Sequence, residues 1–145
     1  MGNLLAVKNK VQQYLQDIFG SVTIDSDGDF TVRNGSARGF ISVDQREEED
    51  GPVFVRIWAQ VLTNVVDSPE LHKYVAYNAG SFIYGRLHLV ERQDGGINLI
   101  MSHVLLGDYL DEAELGYAVT WLMDSADDLD EELQGKFGGT RFHES

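Results

Sequence analysis

The sequence predicts an α+β fold, with helices on one face of a largely antiparallel sheet. The expected order is helix, antiparallel β-meander, short helix, β-hairpin and long C-terminal helix. Three observations carry this expectation. Apolar side chains recur at three- and four-residue steps near both ends of the chain. Runs such as VFVRIWAQVL, between those ends, alternate in steps of two. Hairpin signals join successive runs, so neighbouring strands should run antiparallel.

The first helix is expected over residues 3–19, where Leu4, Val7, Val11, Tyr14, Leu15 and Ile18 make one apolar stripe and Gly20 is a natural stop. Short extended pieces at 22–25 and 30–33 flank a turn at SDGD. Asn34-Gly35 is a second turn signal before an extended run at 37–45. REEEDGP, residues 46–52, reads as a solvated acidic loop, and 53–62 as a long strand. Asp67-Ser68-Pro69-Glu70 opens a short helix through Leu71, Tyr74, Val75 and Asn78, with Gly80 as its end. Strands at 81–92 and 97–106 are joined by a hairpin turn at 93–96. Asp111 and Glu114 form a capping-box pattern for the last helix. Its core stripe is Leu115, Val119, Leu122, Met123, Ala126, Leu129 and Leu133. Phe137-Gly138-Gly139 closes the domain, and the last residues are expected to fray.

At 145 residues, 43% of them hydrophobic and only two of them proline, the chain suits a single globular domain. That domain spans 1–145, with its core at about 3–139. No window approaches the roughly 18 apolar residues of a membrane span, and the N-terminus lacks a secretory pattern. The chain has no cysteine, which removes disulfides and thiolate chemistry. Cytoplasmic residence is the expectation. A net charge of -13 repels phosphate backbones, so nucleic acid is not an expected partner.

DSDGDF, residues 25–30, spaces three aspartates like the start of a calcium loop. An EF-hand counted from Asp25 needs glycine at its sixth place and a bidentate Glu at its twelfth. Phe30 and Ser36 stand there instead, and the flanks read as strands, so the stretch is a hairpin turn. The four histidines, His72, His88, His103 and His143, form no helical metal spacing, though His88 and His103 are expected near one another on the second hairpin. Neither GxSxG nor a phosphate loop occurs. No catalytic, cofactor or metal residue is therefore assigned.

The strands carry the functional signal. Val53, Val55, Ile57, Ala59 and Val61 form a clean apolar row for the helices to cover. Phe54, Arg56, Trp58, Gln60 and Leu62 stand opposite and are neither polar nor properly buried. The same alternation places Phe82, Tyr84, Arg86 and His88 across from Ile83, Leu87 and Leu89, and turns Phe40 away from Ile41 and Val43. One face thus gathers aromatics beside arginines, the residue types enriched in binding hot spots. The candidate partner-binding residues are Phe40, Phe54, Arg56, Trp58, Tyr84 and Arg86, facing a client or a second copy of the chain, and burial of both faces within the one chain is the alternative.

Nearly the whole chain, about residues 3–139, resembles the YbjN family and the class I type III secretion chaperones. The closer match is the actinobacterial branch of YbjN-like peptide-binding chaperones. VFVRIWAQVLTNV running into SPELHKYVAYNAGSFIYGRLHLV carries it, with Asn78, Phe82, Gly85 and Leu87 at telling places. So do the turn from Leu106 to Asp111 and the tail through KFGG. The resemblance implies a non-enzymatic, chaperone-like, often homodimeric domain that holds a client peptide or protein segment. It carries no family-wide set of binding residues. An alternative is an acidic regulatory or adaptor protein that works through its charged surface. An enzyme or calcium sensor lacks any matching constellation of residues.

Overall fold

In the computed structural model, which describes residues 3–46 and 51–141, the Asn3 side chain accepts the Ala6 amide and starts helix α1, Leu4–Phe19. Val7, Val11 and Leu15 face inward from α1, and Gly20 ends it in a left-handed conformation. Strands β1 (Thr23–Ile24), β2 (Phe30–Asn34), β3 (Ala37–Gln45) and β4 (Val53–Thr63) follow as a meander. Helix α2, Pro69–Asn78, is capped by Ser68, whose hydroxyl accepts the Leu71 amide. Then come β5 (Arg86–Glu91), β6 (Ile97–Leu106), helix α3 (Glu112–Phe137) and β7 (Thr140–Arg141). Asp111 caps α3 by accepting the Glu114 amide.

The architecture is the expected α+β one. The antiparallel sheet has the order β1-β2-β3-β4-β6-β5, with β7 paired to the end of β4. The link through α2 carries the chain past β4 and lays β5 down at the far edge, so that β6 returns beside β4. Val53, Val55, Ile57, Ala59 and Val61 are all buried, as their alternation requires. Burial of each such large aliphatic side chain contributes about 1.5–3 kcal/mol. Leu115, Val119, Leu122, Met123 and Leu133 of α3 press on this row. The helix comes close at Gly39, where an added Cβ would lie 2.7 Å from the Met123 sulfur.

DSDGDF forms the β1–β2 hairpin turn. The Asp25 carboxylate accepts the amides of Asp27 and Asp29 at 2.9 and 3.0 Å, so its charge already serves the backbone.

Several boundaries differ from expectation. The strand expected at 81–92 spans only Arg86–Glu91, because Gly85 has φ +96° and residues 81–84 lie outside the ladder. Ile83, expected in the core, is 77% exposed. Helix α2 ends through Ala79 rather than Gly80. Thr140 and Arg141, beyond the expected close of the domain at Gly139, form β7. Arg141 lies 3.7 Å from the buried Asp130 of α3, and that ion pair ties the strand down. Most of the expected acidic loop, residues 47–50, lies outside the described residues.

Candidate functional site

All three helices lie on one side of the sheet. The other side is built from the alternate residues of β3, β4, β6 and β5, and strand register sets who meets whom. Phe40 pairs with Trp58, and their rings stack at 5.6 Å with an interplanar angle of 19°. Arg56 stands between Ser42 and Val104, and Phe54 between Asp44 and Leu106. On the far side of β6, Arg86 pairs with Ser102, which in turn faces Trp58. Phe40, Phe54 and Trp58 are half-buried, while Arg56, Arg86, Val104 and Leu106 are exposed.

A hollow of 380 Å³ opens at one end of this face. Phe54, Arg56, Val104 and Pro52 line it, with Asp44 and Arg46 at its rim. Apolar walls with a few convergent polar groups are the general makeup of a ligand pocket. Beside it, the His88 ring nitrogen Nε2 lies 2.8 Å from Ser102 Oγ. Burial, and then the fields of Arg56 and Arg86, hold His88 below the usual histidine range.

Five of the six predicted residues share this face: Phe40, Phe54, Arg56, Trp58 and Arg86. Tyr84 does not. Its ring packs edge-on against His103 at 5.6 Å and Trp121 of α3 at 5.7 Å, on the helix-covered side. The left-handed turn at Gly85 is the reason, since it breaks the alternation that would carry Tyr84 into line with Arg86. Phe82, expected on the same open face, packs against the core. His88 and His103 also part company. His88 pairs with Ile100 on the open side, whereas His103 Nδ1 accepts the Gly85 amide below. That bond leaves the proton of a neutral ring on Nε2, and burial holds His103 below its ordinary value.

Over residues 6–145 the sequence matches the family model TY-Chap1, described as T3SS (YopN, CesT) and YbjN peptide-binding chaperone 1. The chain belongs to this family. Among curated proteins, none matches it. Solved structures share the TY-Chap1 chain's fold, two of them as follows. The crystal structure of YbjN from E. coli superposes with a TM-score of 0.61 at 13% identity, covering 89% of this chain and 93% of that one. A chain of the ExsC-ExsE complex gives 0.61 at 16% identity, covering 86% and 93% respectively.

This TY-Chap1 domain carries a second aromatic surface, which the sequence reading passed over. Tyr117 and Trp121, 59% and 45% exposed, stand one turn apart on the outer side of α3 and meet edge-on at 6.2 Å. With Ile18 of α1 and Gly116 they line a groove of 410 Å³. The i, i+4 spacing of Tyr117 and Trp121 was visible in the sequence, but the Leu115 stripe set the reading of that helix. Among the described residues, no helix is long and apolar enough to cross a membrane. No group of three or more His, Asp or Glu converges there as a metal site.

Proposed function

We propose that this chain is a non-enzymatic, chaperone-like domain that holds a client peptide or protein segment against the open sheet face. The observation that carries the reading is the stacked Phe40–Trp58 pair beside exposed Arg56 and Arg86, bordering a hollow lined by Phe54. Client apolar side chains bury against the rings, and the two guanidinium groups pair with client carboxylates or carbonyls. Strand β5 is a sheet edge, so a client could add main-chain hydrogen bonds there. Membership of a peptide-binding chaperone family supports the reading, as does the fold shared with a chain of the ExsC-ExsE complex. Tyr84 has no part in it. Homodimerisation and cytoplasmic residence belong to the same proposal, and mass in solution against the 16.2 kDa monomer tests the former.

The test is affinity capture from native lysate with wild type, Trp58→Ala and Arg56→Glu in parallel. Both variants should keep the fold and lose captured protein at least about tenfold, as expected for a hot spot worth 1.4 kcal/mol or more. Unchanged capture by both would overturn the proposal. The Tyr117–Trp121 groove, on the helix that bears Asp124, Asp127 and Asp128, favours a second reading as an acidic adaptor. Capture that survives Trp58→Ala but vanishes at high salt would select that reading instead.

A further inference from the structure

Charge is divided between the two sides of this molecule. The chain as a whole carries -13, from 24 acidic and 11 basic residues. By strand alternation, Arg33, Arg38, Arg56 and Arg86 all fall on the open face, and Arg46 stands at the rim of its hollow. Among the described residues, the outward rows of β2 to β6 carry one carboxylate, Asp44. The helical side holds the opposite excess. Asp124, Asp127 and Asp128 crowd α3 so closely that the Asp124 carboxyl is pushed above its usual range, first by partial burial and then by its two neighbours.

The cations are also placed to act together. Arg56 is in register with Val104 and Arg86 with Ser102, on either side of β6. Two strand spacings across the sheet and two residues along it put their backbones roughly 12 Å apart, so both long side chains reach toward the strip above Ser102 and Val104. Neither forms an ion pair with another described residue. His88, two residues beyond Arg86 on β5, reaches Ser102 Oγ at 2.8 Å and feels both guanidinium fields. Trp58 and Phe40 flank the strip on one side, and Val104 and Leu106 extend it.

On the reading of the open face as a client-binding surface, we infer that its client segment is acidic, with Asp or Glu side chains alternating with apolar ones along an extended chain. One client carboxylate sits between Arg56 and Arg86, and the neighbouring apolar side chains lie on the Phe40–Trp58 stack and in the Phe54 hollow. Asp44 sets the register, because it repels a second acid at the far end of the hollow. The same charge pattern rejects basic segments.

Three labelled synthetic peptides of one length and one apolar pattern test this. Their alternate positions carry Glu, Gln or Lys, and binding is read by fluorescence anisotropy at low salt. The Glu peptide should bind at least tenfold tighter than the Gln peptide, and the Lys peptide should not bind. An Arg56→Gln/Arg86→Gln double variant, with its folding checked by circular dichroism, should bind Glu and Gln peptides equally. If wild type already binds Glu and Gln peptides equally and Trp58→Ala loses both, the charge inference falls while the client-binding face stands. If Trp58→Ala binds the Glu peptide as wild type does, the face itself is wrong. If no peptide binds and Trp58→Ala turns a dimer into a monomer, the occupant is a second copy of the chain, which overturns the inference.

Discussion

Gly85 is the residue on which the two sides of the sheet depend. At φ +96° it occupies a conformation that side chains rarely adopt, and a Cβ there would meet Leu122 Cδ1 at 3.0 Å and Met101 Cε at 3.3 Å. Its amide also donates to His103 Nδ1. Gly85→Ala should therefore cost about 1–3 kcal/mol, through backbone strain and crowding of a packed core. A lowered urea midpoint with unchanged slope would register that loss. A midpoint equal to wild type would mean that the backbone tolerates alanine here and that the left-handed turn is not demanded. Trp58 differs in kind. It stands half-buried on the open face, and its stack with Phe40 is worth only about 0.5–1.5 kcal/mol. Its removal consequently tests binding without threatening the fold.

At the scale of elements, α3 organises the domain, since its 26 residues cover β3, β4 and β6. Its N-cap rests on Asp111, which satisfies the Glu114 amide at 2.8 Å. Asp111→Ala should lower stability by about 1 kcal/mol, measured by thermal or urea unfolding, with the open sheet face unaffected. A variant as stable as wild type would show that water replaces the cap at no cost. This helix was legible in the sequence because cap, period and length agreed. Strand β4 was legible for a similar reason, as only one face of its alternation could be buried. Once those strands were placed, register brought Phe40, Phe54, Arg56 and Trp58 together. Tyr84 was misplaced because SFIY has strand propensity, and nothing local announces that the next glycine turns left-handed. Strand β7 was illegible for a different reason. Its two residues become a strand only by pairing with Leu62 and Thr63 and through the Arg141–Asp130 contact, and these depend on tertiary structure. The lesson extends to Tyr117 and Trp121, whose spacing was plain but whose exposure depends on where α1 lies.

For the whole molecule, the division of charge makes one salt act in two directions. A net charge of -13 opposes compaction through mutual repulsion among the carboxylates, and α3 concentrates that repulsion at Asp124, Asp127 and Asp128. Raising ionic strength from about 0.02 M to about 0.3 M shortens the screening length several-fold and relieves it. Surface ion pairs such as Arg92–Asp94 and Lys136–Glu132 contribute little and so lose little by comparison. The melting temperature of the free protein should therefore rise with salt. Capture of an acidic segment by Arg56 and Arg86 should weaken over the same range, because that attraction is screened as well. Paired scans of melting temperature and peptide affinity against salt would check this. Arg56→Gln/Arg86→Gln should keep the rise in melting temperature and lose the salt dependence of binding. If stability and affinity fell together with added salt, the surface carboxylates would be held by attractive pairs, and the separation of a cationic gripping face from an acidic back would not describe this molecule.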